Sequence, residues 1–125
     1  MTPQRVAIIG SRPHPGPARI HDRNDMRRLA VRDYVGNLPA GTVVISGGAQ
    51  GVDLWAEERA LQAGLVVVRC IPPWDALGKR AGMVRNAVIV DLCDRLAAFW
   101  DGESRGTKNA IEAARKAGKP VEVFR

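Results

Sequence analysis

Ile45-Ser46-Gly47-Gly48-Ala49-Gln50-Gly51-Val52-Asp53 follows the β-branched run Thr42-Val43-Val44-Ile45 and leads into an amphipathic helical pattern that continues to Ala63. A strand therefore feeds a glycine-rich turn, and the turn opens a helix. Glycines there tolerate positive φ angles and leave backbone amides bare. The start of a helix adds unpaired N–H groups and a partial positive charge. Such a turn suits a phosphate or another anion, and it also serves as plain connecting structure where nothing binds.

Two other strand ends follow the same logic. Val6-Ala7-Ile8-Ile9 runs into Gly10-Ser11-Arg12, which adds a guanidinium able to fork onto phosphate oxygens. Leu96-Ala97-Ala98 runs through Phe99-Trp100 into Asp101-Gly102-Glu103-Ser104-Arg105-Gly106-Thr107, ahead of a helical pattern from Lys108 to Ala117. In an open parallel sheet the carboxyl ends of the strands share one edge, where ligands of doubly wound folds bind.

Strand and helix patterns alternate along the whole chain. Strands are expected over Arg5–Gly10, Thr42–Ser46, Leu65–Ile71, Arg95–Trp100 and Val121–Phe124. Helices are expected over Arg23–Gly36, Val52–Ala63, Lys79–Leu92 and Gly106–Ala117, with stops at Ala63-Gly64 and Ala117-Gly118. Apolar runs such as Val66-Val67-Val68 imply strands buried on both faces and hence a mainly parallel sheet between helix layers. Right-handed crossovers leave few layouts, and the strand order 3-2-1-4-5 is expected for a three-layer α/β fold.

The 125 residues suit one domain over 1–125. No apolar run approaches a membrane span, and Met1-Thr2-Pro3-Gln4-Arg5 lacks a signal-peptide pattern, so a cytoplasmic protein with no membrane partner is expected. Cys70 and Cys93 end apolar runs without CxxC spacing and read as reduced core thiols. No residue pattern calls for a metal or a cofactor. The net charge of +6 accommodates acidic partners and permits nucleic acid. Many of the arginines, including Arg27 and Arg28, fall on the first helix and read best as its solvated face.

Two segments interrupt the rhythm. Arg12 to Asp22 is rich in proline, which excludes an uninterrupted helix; it reads either as a lid or as a surface loop, and His14 and His21 lie in or beside it. Ile71 to Asn86 carries Trp74, suited to stacking on a base or a neighbouring subunit or to anchoring the loop.

Taken together, Gly-Ser-Arg after strand one, Ser-Gly-Gly-Ala-x-Gly-Val-Asp after strand two, Trp-x-x-x-Gly-Lys-x-Ala-Gly-x-x-Arg-Asn before the third helix and Phe-Trp-Asp-Gly-x-Ser-x-Gly-Thr after strand four resemble the SLOG superfamily. That Rossmann-like group includes the DNA-processing protein A family and the Lonely Guy phosphoribohydrolases. The chain looks most similar to its small YspA/YpsA-related branch. The resemblance runs from Val6 to Phe124 and implies a pocket for a nucleotide or nucleotide-derived molecule. Carried over, it puts Gly10, Ser11 and Arg12 on one wall, Ser46, Gly47, Gly48 and Asp53 in the middle, and Arg85 and Asn86 on another wall. Gly102, Ser104, Gly106 and Thr107 would form the phosphate cradle. Asp53 suits either ribose hydroxyls or the positive start of helix two.

Lonely Guy proteins carry a catalytic glutamate three residues after the threonine of their glycine turn. Here that position is Ala110, and Glu112 is rotated by roughly 200° from it on a helix. The catalytic residues, if any, are therefore unassigned. Three readings follow: a binding module that senses or sequesters a nucleotide-like ligand; a hydrolase of a nucleoside monophosphate or ADP-ribose-like substrate using Asp53, Asp101 or Glu103; and a single-stranded DNA binder, disfavoured by the scarcity of aromatics for a stacking groove. A homodimer is expected from the resemblance and from apolar surface offered by Leu54, Trp55 and Leu61.

Overall fold

The computed structural model describes residues 3–12, 18–72 and 74–125, and the side chains of residues 18–25, 74 and 79 lie outside that description. The chain runs β1 (Arg5–Gly10), α1 (Ala18–Gly36), β2 (Val43–Ser46), α2 (Val52–Gln62), β3 (Val66–Arg69), α3 (Trp74–Leu77), a 3-10 turn (Gly78–Arg80), α4 (Ala81–Leu92), β4 (Arg95–Phe99), α5 (Arg105–Lys116) and β5 (Val121–Phe124). All strand pairs are parallel and their order is β3-β2-β1-β4-β5, the expected topology.

The period of two along each strand sorts its side chains onto two cores. Val6, Ile8, Val44, Ala97 and Phe99 face Val31 and Val35 of α1 and Val52, Ala56 and Ala60 of α2. Ala7, Ile9, Ile45, Leu96 and Ala98 face Ile89 and Val90 of α4 and Ala110, Ile111 and Ala114 of α5. A three-layer sandwich results, with the central pair β1 and β4 sealed on both faces. The register Gly10 to Phe99 brings the ends of these two strands level, so the loops that follow them emerge side by side. Gly64 and Gly118 terminate α2 and α5 with φ of 76° and 74°, as their Ala-Gly signals predict.

Three expectations need correction. Val66 and Val68 are 61% and 39% exposed, because β3 is an edge strand; an apolar run shows strand propensity and does not reveal position in the sheet. Helix α1 begins at Ala18 rather than near Arg23. The sequence from Ala18 to Gly36 contains no proline, so nothing in it interrupts the helix. The helix expected from Lys79 is preceded by a separate turn of helix at Trp74–Leu77 and tightened into the 3-10 turn before α4. The lid reading of residues 12–22 falls largely outside the described residues, as do His14 and the side chains of His21 and Trp74.

Cys93 is buried, Cys70 is partly buried, and both are free thiols. Burial pushes both thiols up, which disfavours the reactive thiolate. No helix among the described residues is long and apolar enough to cross a membrane.

Candidate functional site

The glycine turn after β2 is occupied from within. Asp53, 3% exposed in the first turn of α2, accepts hydrogen bonds through Oδ2 from the Gly47 amide at 3.1 Å and the Ala49 amide at 3.3 Å. The Gly48 amide donates to Ser46 Oγ at 3.0 Å, and that hydroxyl donates in turn to Glu57 Oε2 at 2.7 Å. Arg69 on β3 closes the chain with a forked pair onto Glu57, Nη2 to Oε1 at 2.6 Å and Nε to Oε1 at 3.0 Å. The carboxylate of Asp53 thus takes the place that an external anion fills at an open glycine turn. Arg85 on α4 donates from Nη1 to the Gly47 carbonyl at 3.2 Å. Gly47 has no space for a side chain, since a Cβ there lies 2.9 Å from Asp53 Oδ2 and 3.0 Å from Arg85 Nη1. Burial pushes Asp53 up to about 6, against the opposing pull of the Ala49 amide, Arg85 and the Gly47 amide.

The free amides lie instead beyond β4. Asp101 folds its loop by accepting at Oδ1 from the amides of Glu103 and Ser104, both at 2.8 Å, while its own amide donates to the buried Ser11 hydroxyl at 3.0 Å. Those two amides hold Asp101 below the usual carboxylate range although burial pushes the other way. Helix α5 then starts after Ser104 with no side chain capping it. The Trp100 indole N–H fixes the Ser104 carbonyl at 3.0 Å. Asn86 of α4, buried, donates from Nδ2 to the Gly106 carbonyl at 3.1 Å and to Asn109 Oδ1 at 3.2 Å, so α4 holds the first turn of α5 in place.

A cleft of about 490 Å³ opens over this helix start at the carboxyl edge of the sheet. Of the residues expected in the site, Gly10, Arg12, Asp53, Arg85, Asn86, Ser104, Gly106 and Thr107 line it. Ser11, Ser46, Gly47, Gly48 and Gly102 do not; the first four lie behind the wall as its hydrogen-bonded support, and Gly102 lies towards Arg125. Asp101, Ala49, Gly82, Ile9 and Ile89 complete the lining. Asp101 carried a signal, since it stands inside the quoted Phe-Trp-Asp-Gly motif, whereas the apolar members and the supporting Glu57 and Asn109 carried none.

Solved structures share this arrangement of strands and helices. DNA processing protein A from Streptococcus pneumoniae superposes with a TM-score of 0.77 at 22% identity, over 97% of this chain and 50% of that one. DNA processing protein A from Helicobacter pylori, described for its single-stranded DNA binding mode, superposes with a TM-score of 0.68 at 26% identity, over 98% of this chain and 65% of that one. The chain therefore spans about half to two thirds of these proteins. No family model matches it. The Gene 61 protein of Mycobacterium phage D29 is 35% identical over 130 residues, covering 97% of this chain and 96% of the phage protein. The two form one family of the SLOG superfamily.

In this SLOG domain, Ala110 is 1% exposed and packs in the core between α4 and α5. Glu112 points to solvent, where it pairs with Lys108 at 3.9 Å. Asp101 is thus the carboxylate that lines the cleft without being tied up in the glycine turn. Among the described residues, no cluster of three or more His, Cys, Asp or Glu side chains is grouped to hold a metal ion.

Proposed function

We propose that the chain is a nucleotide-binding module, acting as a sensor or sequestering protein, whose ligand places a phosphate at the first turn of α5 between Arg12 and Arg85. The observation that carries this reading is the uncapped start of α5 opening into a cleft walled by both guanidinium groups. Helix-start amides and the macrodipole stabilise an anion there, and the arginines add charge-assisted hydrogen bonds. The cleft volume of about 490 Å³ is in the range of small-molecule sites, roughly 300–1,000 Å³. Free, unreactive thiols fit the reducing cytoplasm.

A second reading, single-stranded DNA, is favoured by the Helicobacter relative and by the net charge of +6. Against it, the cleft offers Ile9 and Ile89 rather than aromatic faces for stacked bases. Hydrolysis of a nucleoside monophosphate or an ADP-ribose-like molecule would rest on Asp101 as base. Native mass spectrometry of the purified protein, followed by identification of any nucleotide released on denaturation, separates a small ligand from DNA. Incubation with that molecule and assay for free base or phosphate then tests turnover.

Arg85→Ala is expected to weaken nucleotide binding by about 1.5–3 kcal/mol, the range for hydrogen bonds to a charged group. The control is Arg115→Ala with Lys116→Ala, both exposed in the last turn of α5, far from the cleft. Arg27 and Arg28 are unsuitable controls: Arg28 is exposed, as its reading as part of a solvated face expects, but lies 3.8 Å from Glu58, while Arg27 departs from that reading with a buried Nη1. Calorimetry showing equal losses in both variants would mean diffuse attraction and no defined site.

A homodimer remains part of the proposal. Trp55 packs against the core and offers less surface than expected, but Leu61 is 66% exposed and Met83, Val84 and Val88 form an apolar stripe on the outer face of α4. A mass of 13.5 kDa by light scattering at every concentration would refute it.

A further inference from the structure

We propose that a second cavity, on the α1 side of β4, binds a nucleobase, with guanine as the best match. This extends the phosphate reading to a ligand that reaches past β4, and it rests on that reading only for the idea that base and phosphate belong to one molecule.

The cavity has a volume of about 370 Å³ and lies between α1 and the carboxyl ends of β4 and β5. Its apolar wall is aromatic. Phe99 and Phe124 stack with ring centroids 4.7 Å apart and planes 16° from parallel, and the Arg125 guanidinium sits 5.3 Å over the Trp100 ring. Met26 stands at the mouth, 71% exposed. An alkyl chain would suit such a wall, but the polar groups beside it select otherwise. Arg27 lines the cavity, and its Nη1 is buried with no hydrogen-bond partner among the described residues. A buried N–H in that condition favours a ligand that brings an acceptor. Asp101 and Glu103 bring acceptors of their own to the same cavity.

A flat ring with a carbonyl for Arg27 and adjacent N–H donors for a carboxylate satisfies all three, and guanine carries that set on one edge. Asp101 also lines the phosphate cleft and is the residue that the two cavities share. A nucleotide passing over Asp101 can seat its phosphate at α5 and a base beneath α1.

The test uses the whole protein with two separate probes, guanosine, which has no phosphate, and inorganic phosphate. Protein labelled with 13C in the methionine methyls reports at Met26, assigned through Met26→Leu, and the amides of Gly106 and Thr107 report at α5. Guanosine is expected to shift the Met26 methyl in the wild type and in Arg85→Ala with the same Kd, and to bind Arg27→Met roughly tenfold more weakly. Adenosine and uridine should bind more weakly than guanosine. Phosphate should shift the α5 amides equally in the wild type and Arg27→Met. Guanosine that leaves Met26 unmoved at millimolar concentration overturns the proposal, as does binding lost in Arg85→Ala but kept in a folded Arg27→Met. Guanosine binding without phosphate binding would overturn the phosphate reading and leave the base cavity standing.

Discussion

Gly10→Ala is expected to lower the unfolding midpoint by about 10 °C or more, the consequence of losing roughly 3 kcal/mol in a domain of this size. A Cβ at Gly10 would lie 2.6 Å from the Phe99 carbonyl oxygen and would also collide with Val52 of α2. A flexible side chain could swing aside, but neither obstacle can. The Phe99 oxygen is fixed in the β1–β4 ladder and accepts the Ser11 amide at 3.0 Å, while Val52 is fully buried. The sheet must part or α2 must lift, and either movement opens the core where it supports the cleft. Differential scanning calorimetry decides the matter. A midpoint within about 2 °C of the wild type would show that β1 and β4 separate cheaply.

Asp53→Ala should cost roughly 2–6 kcal/mol, because the buried amide of Gly47 and the part-buried amide of Ala49 lose their acceptor and each group left unsatisfied costs about 1–3 kcal/mol. Asp53→Asn keeps an oxygen for both amides and should behave differently. The folded-state value of about 6 exceeds the ordinary 3.8. Between those pH values native Asp53 keeps a proton that the unfolded chain has released. Its contribution to stability therefore falls as pH rises from about 4 to about 6 and is level above. A gap of two units corresponds to roughly 3 kcal/mol. Urea unfolding of both proteins at several pH values isolates this effect, since the other carboxylates cancel in the difference. Asp53→Asn should gain on the wild type across that window. A constant difference would mean that Asp53 titrates like an exposed carboxylate and would falsify its burial as the cause.

The alternation of apolar runs with helical periods made the five strands, their order and their shared edge legible, since each motif follows a strand and parallel strands end together. Arg12 and the Gly106-Thr107 helix start reach one cleft for that reason, and Arg85 joins them from α4. What the residues could not disclose is who satisfies whom. Gly47 and Gly48 look like open anion donors in sequence, yet Asp53 and Ser46 take their hydrogens, and that depends on a helix turning a carboxylate back onto its own loop. Arg27 reads as one more solvated arginine of α1 until the fold leaves part of the β4–β5 face open beside it. Val66 and Val68 read as buried because a run of valines is the same on an edge as in a centre.

The cleft is bounded by Gly10, Ala49, Arg85 and Gly106, which come from four separate parts of the chain and meet only when β1, β2, α4 and α5 are in place. A ligand held there would favour forms in which those elements are assembled, and mass action would draw the population towards them. At a free concentration one hundred times Kd the native state gains about 2.7 kcal/mol. That gain would be felt by every amide that exchanges through global unfolding, including those that touch no part of the cleft. Hydrogen exchange slowed by about a hundredfold in the most protected amides would therefore report occupancy from any point in the molecule, without knowledge of where the ligand sits.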